Sequence, residues 1–101
     1  MESCNEKMLQ IIGSSSLEFV LKKILREVGV NGFTFFNVRG DGDSGFQSGQ
    51  FESDSNVLFM VVLSDEKRET LLNRLAGLLK RGHHLTIFSV EAEVFSPTKC
   101  D

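Results

Sequence analysis

The chain has 101 residues, of which 41% are hydrophobic and 25% charged, with a formal net charge of −3. That is the make-up of one soluble globular domain (residues 1–101) with a single modest core. The acidic balance speaks against nucleic acid as a partner, because its binders carry a basic footprint. No apolar run approaches the ~18–20 residues of a membrane helix, so direct membrane insertion is not expected. The first residues, Met-Glu-Ser-Cys-Asn-Glu-Lys, lack the apolar centre of a signal peptide. Cys4 and Cys100 lie at opposite ends, outside any apolar pattern. They fit a reducing cytosol better than a disulfide framework, the pairing of the two tails being the alternative. A cytoplasmic protein is expected.

Residues 7–13 form a short apolar run ending at Gly13, a first strand. Ser14–Ser16 then offer an N-cap. Leu17, Val20, Leu21, Ile24, Leu25 and Val28 follow at helical spacing, with Glu18, Lys22, Lys23, Arg26 and Glu27 on the other side. Gly29 and Gly32 stop that helix. Residues 32–38 (Gly-Phe-Thr-Phe-Phe-Asn-Val) read as a second strand. Residues 55–63 read as a third, and their unbroken apolarity predicts a central strand covered on both faces. Ser64 caps a second helix, with Asp65 and Glu66 placed well against its dipole. Its stripe is Leu71, Leu72, Leu75, Leu78 and Leu79, and Lys80, Arg81 and Gly82 close it. In a fourth strand, 84–95, Phe88, Val90, Ala92 and Val94 alternate with Ser89, Glu91 and Glu93. The tail 96–101 shows no pattern.

The order is β-α-β-β-α-β, which predicts a ferredoxin-like α+β fold: an antiparallel four-stranded sheet with both helices on one face. The other face has no cover within the chain. Apolar side chains of the second and third strands must point to both sides, so a homo-oligomer that buries the open faces together is expected.

The longest irregular segment, residues 39–54, joins the second and third strands. It holds four glycines, one cation and four carboxylates, a net −3 that accounts for the charge of the whole chain. Such a segment is hard to fix in one conformation, yet it carries Phe46 and Phe51. Long connections of this kind are often binding loops, and two phenylalanines suit anchors for a partner. The alternative is that they tuck against their own subunit. Residues 40–45 (Gly-Asp-Gly-Asp-Ser-Gly) read either as an anion-cradling nest or as a flexible loop root. Asp41, Asp43, Glu52 and Asp54 offer oxygens to a divalent cation, without EF-hand spacing. His83 and His84 are neighbours on a strand and point to opposite faces, so they do not share one metal within a subunit. No Ser-His-Asp or Cys-His spacing is legible, and an enzyme is not expected.

Residues 21–42, from Leu21 through Gly29-Val30-Asn31-Gly32-Phe33-Thr34 to Gly40-Asp41-Gly42, resemble the helix, turn and Gly-Xaa-Gly exit of PII signal transduction proteins. Residues 54–59 and 90–94 are similar to the third and fourth strands of the SbtB-type, PII-like branch associated with bicarbonate transporters. The resemblance covers roughly residues 7–95. It implies a homotrimer with adenine nucleotide (ATP, ADP, AMP or cyclic AMP) between subunits and bicarbonate as a further effector. It also implies that residues 39–54 act as a T-loop that meets a membrane transporter. The protein would then be cytoplasmic and peripherally membrane-associated. Carried over by position, Gly40 and Gly42 let backbone approach the ligand, while Lys80, Arg81, Gly82 and His83 meet phosphates; Arg39, the loop's only cation, reads by itself either as a contact for phosphate or bicarbonate or as a solvated strand end. Relatives that bind nucleotide strongly place basic residues after the Gly-Xaa-Gly, where this chain has Asp41, Asp43 and Ser44. The alternative reading is a CutA-like trimer binding divalent metal.

Overall fold

A serine hydroxyl caps the second helix directly, as its sequence predicts, while Ser14 caps the short 3-10 turn that leads into the first. The computed structural model describes residues 1–30, 32–40 and 55–95. Ser14 Oγ accepts the Ser16 N–H at 3.2 Å, a single 3-10 turn follows, and α1 runs Glu18–Val28. It ends at Gly29, whose φ of 87° suits a residue without a side chain. Ser64 Oγ accepts the Lys67 N–H at 3.3 Å, and α2 runs Asp65–Lys80 with Asp65 and Glu66 in its first turn.

The strands are β1 (Cys4–Ser14), β2 (Phe33–Val38), β3 (Asn56–Leu63) and β4 (Leu85–Val94). They form one antiparallel sheet in the order β2-β3-β1-β4. β1 begins three residues earlier than its apolar run because it pairs with the whole of β4, from Cys4↔Val94 to Gly13↔Leu85. This is the predicted ferredoxin-like architecture.

The core lies between one sheet face and the helices. Leu9, Ile11, Val57, Phe59 and Val61 of the sheet are fully buried against Leu21, Leu25, Leu71, Leu75 and Leu78. β3 is interior to the sheet, but within the chain only one of its faces is covered. Leu58, Met60 and Val62 are half-buried on the other. The pairing of Ile11 with Ile87, and of Gln10 with Phe88, puts the apolar set of β4 on this open face. Phe88 is 49% exposed there and Val90 46%.

Cys4 is disulfide-bonded, which corrects the expectation of reduced thiols at this residue. Cys100, the 96–101 tail and the loop from Asp41 to Asp54 lie outside the described residues. No described helix is long and apolar enough to cross a membrane.

Ion pairs brace the layers. Arg74 Nη2 donates to Glu27 Oε1 at 2.7 Å, tying α2 to α1. Lys7 Nζ is hydrogen-bonded to Glu91 and lies 3.7 Å from Asp65, tying β1 to β4 and to the start of α2.

The hydrogen bond from Arg74 holds the Glu27 carboxyl below its ordinary value of 4.5. A carboxyl depressed in the folded state stabilises above its unfolded pKa, and that contribution fades as pH falls through the folded value. The melting-temperature gap between wild type and Arg74→Ala is therefore expected at pH 7 and should close in acid. A gap that persists unchanged at pH 3 would refute the assignment. Gly77 sits inside α2, and a Cβ there would meet nothing within 4 Å. Gly77→Ala should raise stability by about 0.5–1 kcal/mol in urea unfolding; a lower midpoint would show a contact made by another copy.

Candidate functional site

The strand register gathers the chemistry at one end of the sheet. Ser14 pairs with Asn56, and Asn56 with Val38, so the end of β1 lies beside both roots of the 39–54 loop. Ser15 N–H donates to the Ser55 carbonyl at 3.1 Å and ties the entry to α1 to the loop's return. A cavity of about 400 Å³ opens there, lined by Asn37, Val38, Arg39, Ser55 and Asn56. Arg39 and Gly40 are exposed, and a Cβ on Gly40 would meet nothing within 4 Å. The backbone at Gly40 is open to an approaching group. Gly42, Phe46 and Phe51 lie outside the described residues.

The α2–β4 turn stands at the same end, because Gly13 pairs with Leu85. Its backbone is closely held. Arg81 N–H donates to Gly77 and Leu78, Gly82 N–H to Leu79 at 3.0 Å, and His83 N–H to Leu78 at 3.1 Å. Gly82 has a φ of 94°, in the left-handed region that closes such a helix end. Lys80, Arg81, His83 and His84 are all exposed. This is a rigid turn presenting cations to solvent.

The two groups nevertheless sit on opposite edges. Arg39 follows β2 and His83 precedes β4, and β3 and β1 lie between them. Three strand spacings amount to roughly 14–15 Å. One copy therefore does not bring Arg39 and Gly40 against Lys80, Arg81, Gly82 and His83. Packing the β2 edge of one copy against the β4 edge of another would. The open face, with Phe36, Phe88 and Val90 each nearly half exposed, supplies apolar surface for such an assembly.

The opposite end of the sheet is electrostatically closed. Lys7 reaches Glu91 and Asp65, while Arg68 lies 3.8 Å from Asp65 and 3.4 Å from Ser89 Oγ. The hydrogen bond that Lys7 donates to Glu91 keeps its ammonium above its ordinary 10.5. These charges answer one another and leave little for a ligand. Among the described residues no group of three or more His, Cys, Asp or Glu could hold a metal ion. The loop carboxylates proposed for a cation lie outside those residues.

One exposed feature had no place in the helical stripe. Phe19 stands on the outer side of α1. Next to it, Lys22 Nζ sits 3.9 Å above the ring of Phe35, which stacks on Phe59 at 5.4 Å. A phenylalanine among Glu18, Lys22 and Lys23 was the available signal.

A family model described as nitrogen regulatory protein P-II matches residues 6–96. No curated protein matches by sequence. Solved structures do. A PII-like signalling protein of Thermus thermophilus is 24% identical, with a TM-score of 0.77 over 93% of each chain. CPII of Thiomonas intermedia, bound to ADP, AMP and acetate, is 21% identical with a TM-score of 0.83, covering 98% of this chain and 97% of that one. The same protein bound to ADP and bicarbonate aligns at 22% identity and a TM-score of 0.82, over 97% and 96%. At these identities the likeness is one of fold.

Phe88→Glu would place a carboxylate on the open face without touching the core. Light scattering should show an assembly for wild type and a single folded chain for the variant. Equal masses for the two would remove the open face from the interface.

Proposed function

We propose that this chain, which belongs to the nitrogen regulatory protein P-II family, is a trimeric PII-like regulator of a membrane inorganic-carbon (bicarbonate-type) transporter. It acts through residues 39–54 and is biased by an adenine nucleotide or bicarbonate held between subunits. The observation that carries this reading is the placement of two half-sites. The exposed cation and open glycine backbone at Arg39–Gly40 and the rigid basic turn at Lys80–His83 share one end of the sheet, on opposite edges. Such a site is complete only between copies, where assembly and ligand binding are coupled. The anions in the Thiomonas protein, ADP, AMP and bicarbonate, are of the class that exposed Arg and Lys side chains receive.

In this mechanism the ligand adds its differential affinity to one arrangement of the loop root. Arg39 is covalently next to that root, so a ligand that engages it acts on the loop directly. Phe46 and Phe51 are the apolar anchors for the transporter, and Gly40 and Gly42 allow backbone to close on the anion. The protein works by binding and release, with no covalent step. Nothing in the described residues favours the CutA-like metal trimer over this reading.

Calorimetric titration of the purified protein with ATP, ADP, AMP and cyclic AMP, each with and without bicarbonate, tests the proposal. At least one should bind with a micromolar Kd. Arg39→Ala and Arg81→Ala should each weaken it roughly tenfold or more, the cost of losing a charge-assisted hydrogen bond. No heat with any ligand would refute the effector half of the proposal.

A further inference from the structure

The outer stripe of α1 differs from an ordinary solvated helix face. Phe19, Lys23 and Arg26 stand at i, i+4 and i+7, which places them on one side of the helix, opposite the buried Leu21 and Ile24, while Lys22 at the edge of that side turns to Glu18 and the Phe35 ring. Phe19 is 76% exposed, more than any other large apolar side chain apart from Met1 among the described residues. The exposed stripe contains two cations and no acid. The flanking carboxylates are engaged: Glu18 by Lys22 at 2.8 Å, and Glu27 by Arg74 at 2.7 Å. Lys23 and Arg26 are exposed and make no ion pair among the described residues.

We propose that this stripe docks the protein on an anionic lipid surface, with Phe19 entering the headgroup boundary and Lys23 and Arg26 meeting lipid phosphates. Charge complementarity selects the partner's sign. Shape favours a bilayer over a folded protein: the stripe is the convex side of a helix, and the described cavity lies elsewhere, at the loop root. A deformable interface accepts one protruding ring flanked by cations on flexible stems, the arrangement of interfacial helices. The first turn of α1 also stands at the loop end of the sheet, held there through Ser15 and Ser55. The inference rests on the transporter reading only for bringing the protein to a membrane. The lipid contact would then raise the local concentration of the loop near its target.

The test is flotation of the full chain with vesicles of phosphatidylcholine alone, or with about 30 mol% phosphatidylglycerol, an anionic lipid of the kind that attracts polybasic segments. Binding is expected to the anionic vesicles only, and it should vanish between about 0.1 M and about 1 M salt as the Debye length falls from ~10 to ~3 Å. Lys23→Ala and Arg26→Ala should each lower partitioning roughly fivefold. Phe19→Ala should lower it by a similar factor with an unchanged melting temperature, since its ring is exposed. Equal binding to neutral vesicles, no binding, or variants indistinguishable from wild type would overturn the proposal. So would tighter binding to poly-L-glutamate in solution, which would assign the stripe to an acidic polypeptide. The Phe46→Ala/Phe51→Ala double variant should keep vesicle binding while losing the detergent-solubilised transporter, so the two proposals fail separately.

Discussion

Two helices can cover one face of a four-stranded sheet but not both. Here the choice of face is made by strand register. Leu9, Ile11, Val57 and Phe59 point to the helices, and their neighbours Met8, Leu58, Met60 and Phe88 are left on the other side. A one-residue slip in β4 would exchange Ile87 for Phe88 at the core and turn Ser89 and Glu91 outward, so the pairing of β4 with β1 decides which surface the molecule presents. The uncovered surface is too apolar to suit a lone subunit in water, and association is the physical answer to it. The same sheet order separates Arg39 from Lys80 and Arg81 by two intervening strands. In the proposed function, assembly and site formation would thus share one cause.

The two ends of the sheet handle charge in opposite ways. At one end Lys7, Asp65, Arg68 and Glu91 are paired with one another and join β1, β4 and α2. At the other, Arg39, Lys80 and Arg81 are exposed beside a loop root and a helix C-terminus. Cations whose partners lie within the fold have little to offer an incoming anion, whereas cations left in solvent lose less on meeting one. That contrast separates a structural network from a candidate site more sharply than residue type, since both ends hold Lys and Arg.

Much of the fold was legible in the chain. The helical stripes, the serine caps and Gly29 each follow from a local preference, and their order implies the sheet. What was not legible depends on pairing. Alternation in β4 shows that Phe88 and Val90 share a face, but only the register with β1 reveals that it is the open one. Phe19 was obscured for a related reason. The stripe on its own helix was already complete without it, and its exposure becomes informative only when Lys23 and Arg26 are seen on the same side. For the site, the sequence supplied residue types at the loop root and the α2–β4 turn. Their separation across two intervening strands came from the topology.

The charge distribution also bears on which anion suits the site. Asp41 and Asp43 follow Gly40 within three residues, so in the proposed site two carboxylates stand close in sequence to the residues that would bind the anion. Repulsion between unit charges at 4 Å is about 1 kcal/mol in water and about 4 kcal/mol near a protein surface. It grows in proportion to the ligand's charge. A triphosphate therefore meets a larger penalty than a monophosphate, and bicarbonate, with one charge, the smallest. The attraction of Arg39, Lys80 and Arg81 scales in the same way, but in the proposed site the latter two would come from a neighbouring edge and the carboxylates from the same chain. Selectivity among anions would then depend on how closely the neighbour's turn approaches. A loose assembly leaves the carboxylates dominant and favours the smaller charge. A tight one restores the cations and admits the larger. In such an arrangement the number of phosphates on the ligand is read through the packing of the sheet edges, and the loop root is where the two opposing fields meet.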